Sequence, residues 1–249
     1  MNERQERIFS ILNKRGSATI EQLTAEVFAS PATVRRDLKA MEQEGLLIRI
    51  WGGAIAFDHV NSDLPMFVRA NSNIHAKRAI GKAAAALVQN NMSVFMPSGT
   101  TVAEVAKQLH RHKNITVFTN GLDIITALSN NLSAKVFVLG GQLYESYDMV
   151  GSLTDSAIDA LNADLAFFSC SGITAEGFTC RDMARLDVFK KMQKHSGRTV
   201  LLADTSKVGV RDTYRGFGFE AIDYVVMEAL PEDLALRKAL GKKLIIAKL

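Results

Sequence analysis

The stretch that most constrains this chain is Ser30-Pro-Ala-Thr-Val-Arg-Arg-Asp-Leu38. Ser30 suits an N-cap, because its hydroxyl accepts from an otherwise unpaired first-turn amide. Pro31 then takes the first helical position, where a missing N–H costs nothing. Val34, Leu38 and Met41 recur at helical spacing and define a core face. Thr33, Arg35, Arg36 and Lys39 fall off that face, near the helix start. A helix that reads DNA meets base edges with its N-terminal residues, and Arg pairs bidentately with guanine.

The flanking residues fit the same reading. Ile8, Ile11 and Leu12 mark an amphipathic helix within Asn2–Arg15, ended by Gly16. Thr19-Ile-Glu-Gln22 has the capping-box form, and Ile20, Leu23 and Val27 make a short second helix behind it. Short helix, tight turn, then a helix with N-terminal arginines is the helix-turn-helix pattern. Beyond it Gly45 is expected to stop the third helix. Leu46–Ile50 and Ala54–Phe57 flank Trp51-Gly-Gly53, which predicts a hairpin, a wing that brings Arg49 near a phosphate. Trp51 reads as a packing residue of that wing. An Arg-Arg-Asp run alone is an ordinary solvated helix face, and acidic residues nearly balance basic ones over 1–57. Clustering is the better signal, since Arg35, Arg36, Lys39 and Arg49 all lie on the third helix and hairpin. The candidate DNA-binding residues are therefore Ser30, Thr33, Arg35, Arg36, Lys39 and Arg49.

Composition narrows the class. With 249 residues the chain is long enough for two domains or one large one, and 47% hydrophobic content supports a full core, so it is not disordered. A formal charge of +4 is too small to identify a partner. Two cysteines, Cys170 and Cys180, make neither a disulfide framework nor a metal motif, so no cofactor or metal is expected. The N-terminus, Met1-Asn-Glu-Arg-Gln-Glu-Arg7, is too charged for a signal peptide. No apolar run reaches the roughly 18 residues of a membrane span, and a cytoplasmic location is expected.

Asp58–Asn73 is polar, lacks a clean period and holds Pro65, which predicts a linker, extended rather than helical, between a domain over 1–57 and one over 74–249. From Ile74 onward short apolar strands alternate with helical segments, the pattern of a mainly parallel sheet covered on both faces. Several strands end in small or polar residues: Ser98-Gly-Thr-Thr101, Thr119-Asn-Gly121, Gly140-Gly141, Ser171-Gly172 and Asp204-Thr-Ser-Lys207. Ligands of open α/β sheets bind outside the carboxyl ends of the strands. Free amides and hydroxyls at Ser98–Thr101, with Lys207 adding a charge, have the chemistry of a phosphate site. The candidate effector residues are Ser98, Gly99, Thr100, Thr101, Thr119, Asn120, Gly140, Gly141, Ser171, Gly172, Arg181 and Lys207.

These motifs carry a resemblance. Ser30-x-x-Thr-Val-Arg-Arg-Asp-Leu38, Glu44-Gly-Leu-Leu-Ile-Arg49 and Gly52-Gly-Ala54 resemble the DNA-binding domain of the DeoR family of bacterial transcriptional regulators. Ser98–Thr101, Val117-Phe-Thr-Asn120, Leu139-Gly-Gly141, Val150-Gly151, Ser171-Gly-Ile173, Glu176-Gly177 and Leu202-Ala-Asp-Thr-Ser-Lys207 are similar, in order and spacing, to that family's effector domain. The resemblance implies a winged helix-turn-helix followed by a sensor domain related in fold to ribose-5-phosphate isomerase and CoA transferases. It further implies a homo-oligomer, a dimer or tetramer, that represses carbohydrate-metabolism genes until a phosphorylated sugar or related metabolite binds near Ser98–Thr101.

The chain departs from that family at instructive places. Members often carry Asp where this chain has Pro97 or Ser171, and Glu and Lys where it has Arg185 and Phe189. Ser171 and Phe189 offer no titratable group for acid–base chemistry, which disfavours catalysis. A sugar-phosphate isomerase with an appended DNA-binding domain remains the alternative, as does a DNA-binding protein whose second half only assembles subunits. Arg181, Asp182 and Arg185 fit either a pocket reshaped toward a more anionic ligand or an exposed helix start. His110 and His112 read as a helix C-terminal cluster and Cys170 as a small buried residue. Tyr144 and Tyr147 fit either a pocket wall or a subunit contact.

Overall fold

A computed structural model describes residues 1–44, 46–56, 66–129, 133–145 and 147–248. Gly45, Phe57 and the first half of the expected linker, residues 58–65, lie outside these residues. The chain forms two compact units, Met1–Ile74 and His75–Leu249.

In the first unit three helices, α1 (Glu3–Arg15), α2 (Ile20–Val27) and α3 (Pro31–Gln43), pack with strands β1 (Ser17–Thr19), β2 (Leu47–Ile50) and β3 (Gly53–Ala56). The caps explain the boundaries. Asn2 and Gln5 form a capping box on α1, as Thr19 and Gln22 do on α2, and Ser30 Oγ accepts from Thr33 N at 3.2 Å on α3. The antiparallel sheet runs β1-β3-β2, with Ala18 opposite Ala54 and Arg49 opposite Ala54 on the other side. Ile8, Leu12, Leu23, Val34, Leu38, Met41 and Leu47 make one buried core. Strand β1 is too short to show a period in sequence, and it exists because Gly53 lets the wing approach it. Within the stretch expected to be an extended linker, Met66–Asn71 is helical (α4). Pro65 itself lies outside the described residues.

The second unit opens with α5 (Ile74–Ala85) and centres on seven parallel strands. These are β4 (Ser93–Phe95), β5 (Thr116–Thr119), β6 (Lys135–Val138), β9 (Ala163–Ser169), β12 (Ser196–Leu202), β14 (Tyr224–Met227) and β15 (Leu244–Ile246), in the spatial order β15-β14-β12-β9-β4-β5-β6. Successive strand residues feed opposite cores: Phe167 and Val200 pack on one face, Phe168 and Leu201 on the other. That two-sided burial is why the strands read as apolar runs. Helices α5, α6 (Thr100–Ala106) and α7 (Leu122–Leu128) supply residues to one core. Helices α8 (Ser152–Asp159), α9 (Met183–Lys194) and α10 (Leu234–Leu240) supply the other.

Two additions decorate the carboxyl edge of this sheet. One is the hairpin β7 (Gln142–Tyr144) and β8 (Asp148–Val150). The other is an antiparallel sheet of β10 (Gly172–Thr174), β11 (Gly177–Cys180) and β13 (Tyr214–Arg215).

Candidate functional site

In the first unit, Arg35, Arg36 and Lys39 are exposed on α3, while Val34 and Leu38 hold the helix to the core. Ser30 and Thr33 join at the helix start, their hydroxyls 2.9 Å apart. Asp37, from the same motif, is buried and serves structure instead: its carboxylate takes Arg4 Nε at 2.5 Å and Nη2 at 3.3 Å, tying α3 to α1. The Asp37 hydrogen bond pushes the Arg4 guanidinium above its ordinary value. Arg49 is exposed on β2, with its backbone N–H and Nε both donating to Glu42 of α3, at 2.9 and 3.0 Å. That contact fixes the wing against the helix.

Between α3 and the wing runs a groove of about 590 Å³, lined by Arg35, Leu38, Arg49 and Trp51 among others. Trp51 is 81% exposed at the wing turn, contrary to its reading as a packing residue. The turn dictates this. Gly52 has φ +86°, and a Cβ on Gly53 would lie 2.2 Å from Ala18 O, so the hairpin bends tightly after Trp51 and leaves the indole outside.

In the second unit the candidate effector residues gather at the carboxyl ends of neighbouring strands. The Ser98–Gly99 loop follows β4 and touches both neighbours. A Cβ on Gly99 would meet Ser169 Oγ of β9 at 2.7 Å, and one on Gly121, after β5, would meet Ser98 at 2.7 Å. Ser98, Thr101, Thr119 and Asn120 are all buried. Thr119 Oγ1 accepts from Gly121 N at 3.0 Å, which makes it a turn former. Asn120 Nδ2 donates to Met149 O at 2.8 Å, while its Oδ1 accepts nothing among the described residues.

Gly140 and Gly141, past β6, are exposed. Gly140 O accepts from Thr154 Oγ1 at 2.9 Å, and Gly141 packs against Thr154 and Val150. Gly172, on β10, packs on Val210 O and serves close backbone contact. Ser171 Oγ accepts from Arg181 N at 3.2 Å, and Arg181 Nε donates to Asp212 Oδ2 at 3.1 Å. Lys207 closes a short turn after β12, close enough to Cys170 to act on it electrostatically. Cys170 is half-buried rather than fully buried as expected, and desolvation pushes its thiol up to about 12.

The sequence did not single out Asp123, Asp148 or Glu145. Asp123, in the first turn of α7, accepts from Gly99 N at 2.9 Å. Burial raises its carboxyl pKa, against the hydrogen bond from Gly99. Asp148, on β8, is 1% exposed and takes Arg185 Nε at 2.5 Å, leaving its Oδ1 without a partner among the described residues. Arg185 also donates to Glu145 at 2.6 Å. Tyr144 donates to Asp182, the N-cap of α9, and this bond raises the phenol to about 12. Tyr144 therefore belongs to a network that latches the β7–β8 hairpin to α9, and Arg181 and Arg185 are both committed to carboxylates. Such pairs span tens of residues, so no local spacing reveals them.

Among the described residues no group of three or more His, Cys, Asp or Glu is placed to hold a metal ion, and no helix is long and apolar enough to cross a membrane.

Comparison with known proteins adds independent findings. A DeoR-like helix-turn-helix domain matches residues 4–60, and a DeoR C terminal sensor domain matches residues 72–229. The HTH-type transcriptional regulator GolR of Listeria innocua is 32% identical over 97% of this chain and 94% of its own. The transcriptional repressor AccR of Agrobacterium fabrum is 32% identical over 82% of this chain and 81% of its own. The lactose phosphotransferase system repressor of Staphylococcus epidermidis is 29% identical over 86% of each. Among solved structures, ribose 5-phosphate isomerase A of Methanocaldococcus jannaschii is 16% identical over 55% of each chain, with a TM-score of 0.41.

Proposed function

The chain belongs to the DeoR family of transcriptional regulators, and from that premise we propose that it represses carbohydrate-metabolism genes until a phosphorylated sugar or related metabolite releases it. The observation that carries this reading is the face of α3. Arg35, Arg36 and Lys39 stand exposed near a capped N-terminus, beside a wing that Glu42 holds in place. A rigid cationic helix end fits the major groove, where Arg reads guanine and Lys neutralises phosphate.

The sensor lies at the carboxyl edge of the second sheet. Lys207 supplies charge and the Ser98, Thr100 and Thr101 hydroxyls supply donors for the anionic end of an effector, since Gly99 N–H already donates to Asp123 and Gly121 N–H to Thr119. Asn120 Oδ1 and Asp148 Oδ1, both acceptors without partners among the described residues, suit the hydroxyl-bearing end. We read the site as binding without turnover, because Ser171 and Phe189 stand where acid–base chemistry would need titratable groups. The domains follow the division 1–57, 58–73 and 74–249, the protein works in the cytoplasm, and two or four copies pair across a two-fold operator.

An effector relieves repression by binding more tightly to a state whose DNA-reading units are wrongly spaced. The test is mobility shift of a duplex enriched by the wild-type chain from a random library. Arg35→Ala or Arg36→Ala is expected to weaken binding by about 1–3 kcal/mol and to relax selectivity at one base pair. Unchanged affinity and selectivity in both variants would remove α3 as the reading helix.

A further inference from the structure

We propose that Trp51 is a DNA-contact residue, and that the groove between α3 and the wing seats one sugar–phosphate strand with the indole packed on its deoxyribose side. The proposal rests on the DNA-binding reading and extends it to a residue and a contact that the reading does not assign.

Three observations converge. Trp51 is 81% exposed, although an indole carries a large apolar surface that gains from burial. Its exposure is imposed, because Gly52 at φ +86° and the close contact of Gly53 with Ala18 O form a turn that presents the side chain outward. Finally, the groove it borders is lined by two cations, Arg35 from α3 and Arg49 from β2, together with apolar Ile20, Leu38 and Ile50.

Charge decides the occupant. Two guanidiniums lining one groove of about 590 Å³ suit a polyanion, and a phosphodiester strand supplies anionic oxygens at regular spacing with apolar sugar faces between them. With α3 in the major groove, the backbone strand bordering it is the one that the wing meets. An indole at the wing turn then reaches the sugars and the adjoining minor groove, where proteins commonly use apolar side chains. Arg49 has its Nε and backbone N–H committed to Glu42, which aims the rest of the guanidinium rather than consuming it.

The chain has a single tryptophan, so its emission reports this residue alone. The experiment titrates the full-length chain with the library-enriched duplex, following tryptophan emission and anisotropy of the labelled duplex together. The expected result is a shift or quench of emission that saturates at the same DNA concentration as the anisotropy. Trp51→Ala is expected to weaken binding roughly five- to hundredfold, the range for removing an aromatic stacking contact with a nucleic acid. Trp51→Phe should retain most of the affinity. The plot of log affinity against log salt should keep its slope in Trp51→Ala and lose about one unit in Arg49→Ala, since only the second removes a cation. Thermal melting should be unchanged in both Trp51 variants.

Emission that stays constant while anisotropy saturates, with Trp51→Ala binding as tightly as wild type, would overturn the proposal and leave the DNA-binding reading intact. Failure of the wild-type chain to enrich any duplex would overturn both. Emission already shielded from acrylamide in the DNA-free protein, and released on dilution, would place a second copy of the chain in the groove instead.

Discussion

The buried Asp148–Arg185 pair allows the most demanding stability prediction. Arg185→Met removes the cation but keeps much of the side-chain volume. Asp148, 1% exposed, would be left with both carboxylate oxygens unpaired, since Oδ1 already lacks a partner among the described residues. Breaking a buried pair from one side costs about 3–5 kcal/mol, because an uncompensated charge stays in a poorly solvated place. Arg185 is 14% exposed on its side chain, and its second partner Glu145 is 31% exposed, so the lower end of that range applies. For a unit of this size about 3 kcal/mol lowers Tm by roughly 6–12 °C. Scanning calorimetry of the full chain measures it. The double variant Asp148→Asn with Arg185→Met removes the stranded charge and should recover more than half of the loss. Equal Tm values for wild type and Arg185→Met would refute the reasoning. So would a double variant no more stable than the single one, since the cost would then come from lost packing rather than from charge.

Two further outcomes follow from the same geometry. Burial raises the Asp123 carboxyl pKa, so this group favours folding only while protonated and its penalty grows as pH rises through the raised value. Asp123→Asn keeps an acceptor for Gly99 N–H and should raise Tm at pH 8, with the gain vanishing near pH 4; a gain equal at both pH values would contradict the cause. At the wing turn, Gly53→Ala brings a Cβ within 2.2 Å of Ala18 O and should cost about 1–3 kcal/mol with a loss of DNA affinity. Gly52→Ala meets no atom within 4 Å and should cost only about 1–2 kcal/mol, from its positive φ. Equal melting and mobility-shift curves for the two variants would remove the close contact as the reason.

Much of this architecture was legible because local rules dictate it. Ser30, Thr19 and Gln22 announce helix starts through their own hydrogen bonds, and Val34, Leu38 and Met41 announce a buried face through spacing alone. The strand-end loops were legible for a related reason: Gly121 lies against the Ser98 backbone and Gly99 against the Ser169 side chain, so neither position has room for a Cβ. What escaped depends on long-range pairing. Strand β11 pairs with β13 through Cys180 and Tyr214, and no period in either segment signals it. Asp37 sits beside two exposed arginines in sequence yet points at Arg4, because the helix turns it inward by about 100° per residue. Trp51 misled in the opposite direction. An aromatic residue beside two glycines suggests packing, and only the hairpin's direction shows that the indole faces outward.

The central claim couples the two units: one metabolite must change how tightly the chain holds DNA. The most direct measurement is the affinity of the full-length protein for its enriched duplex, at fixed salt, with and without each member of a panel of phosphorylated sugars. The account predicts that at least one compound lowers the affinity tenfold or more. The same compound should raise Tm of the DNA-free protein by roughly 5–10 °C at about 100 times its Kd. A chain whose DNA affinity is unmoved by every compound in the panel, including any that stabilises it, would contradict the account.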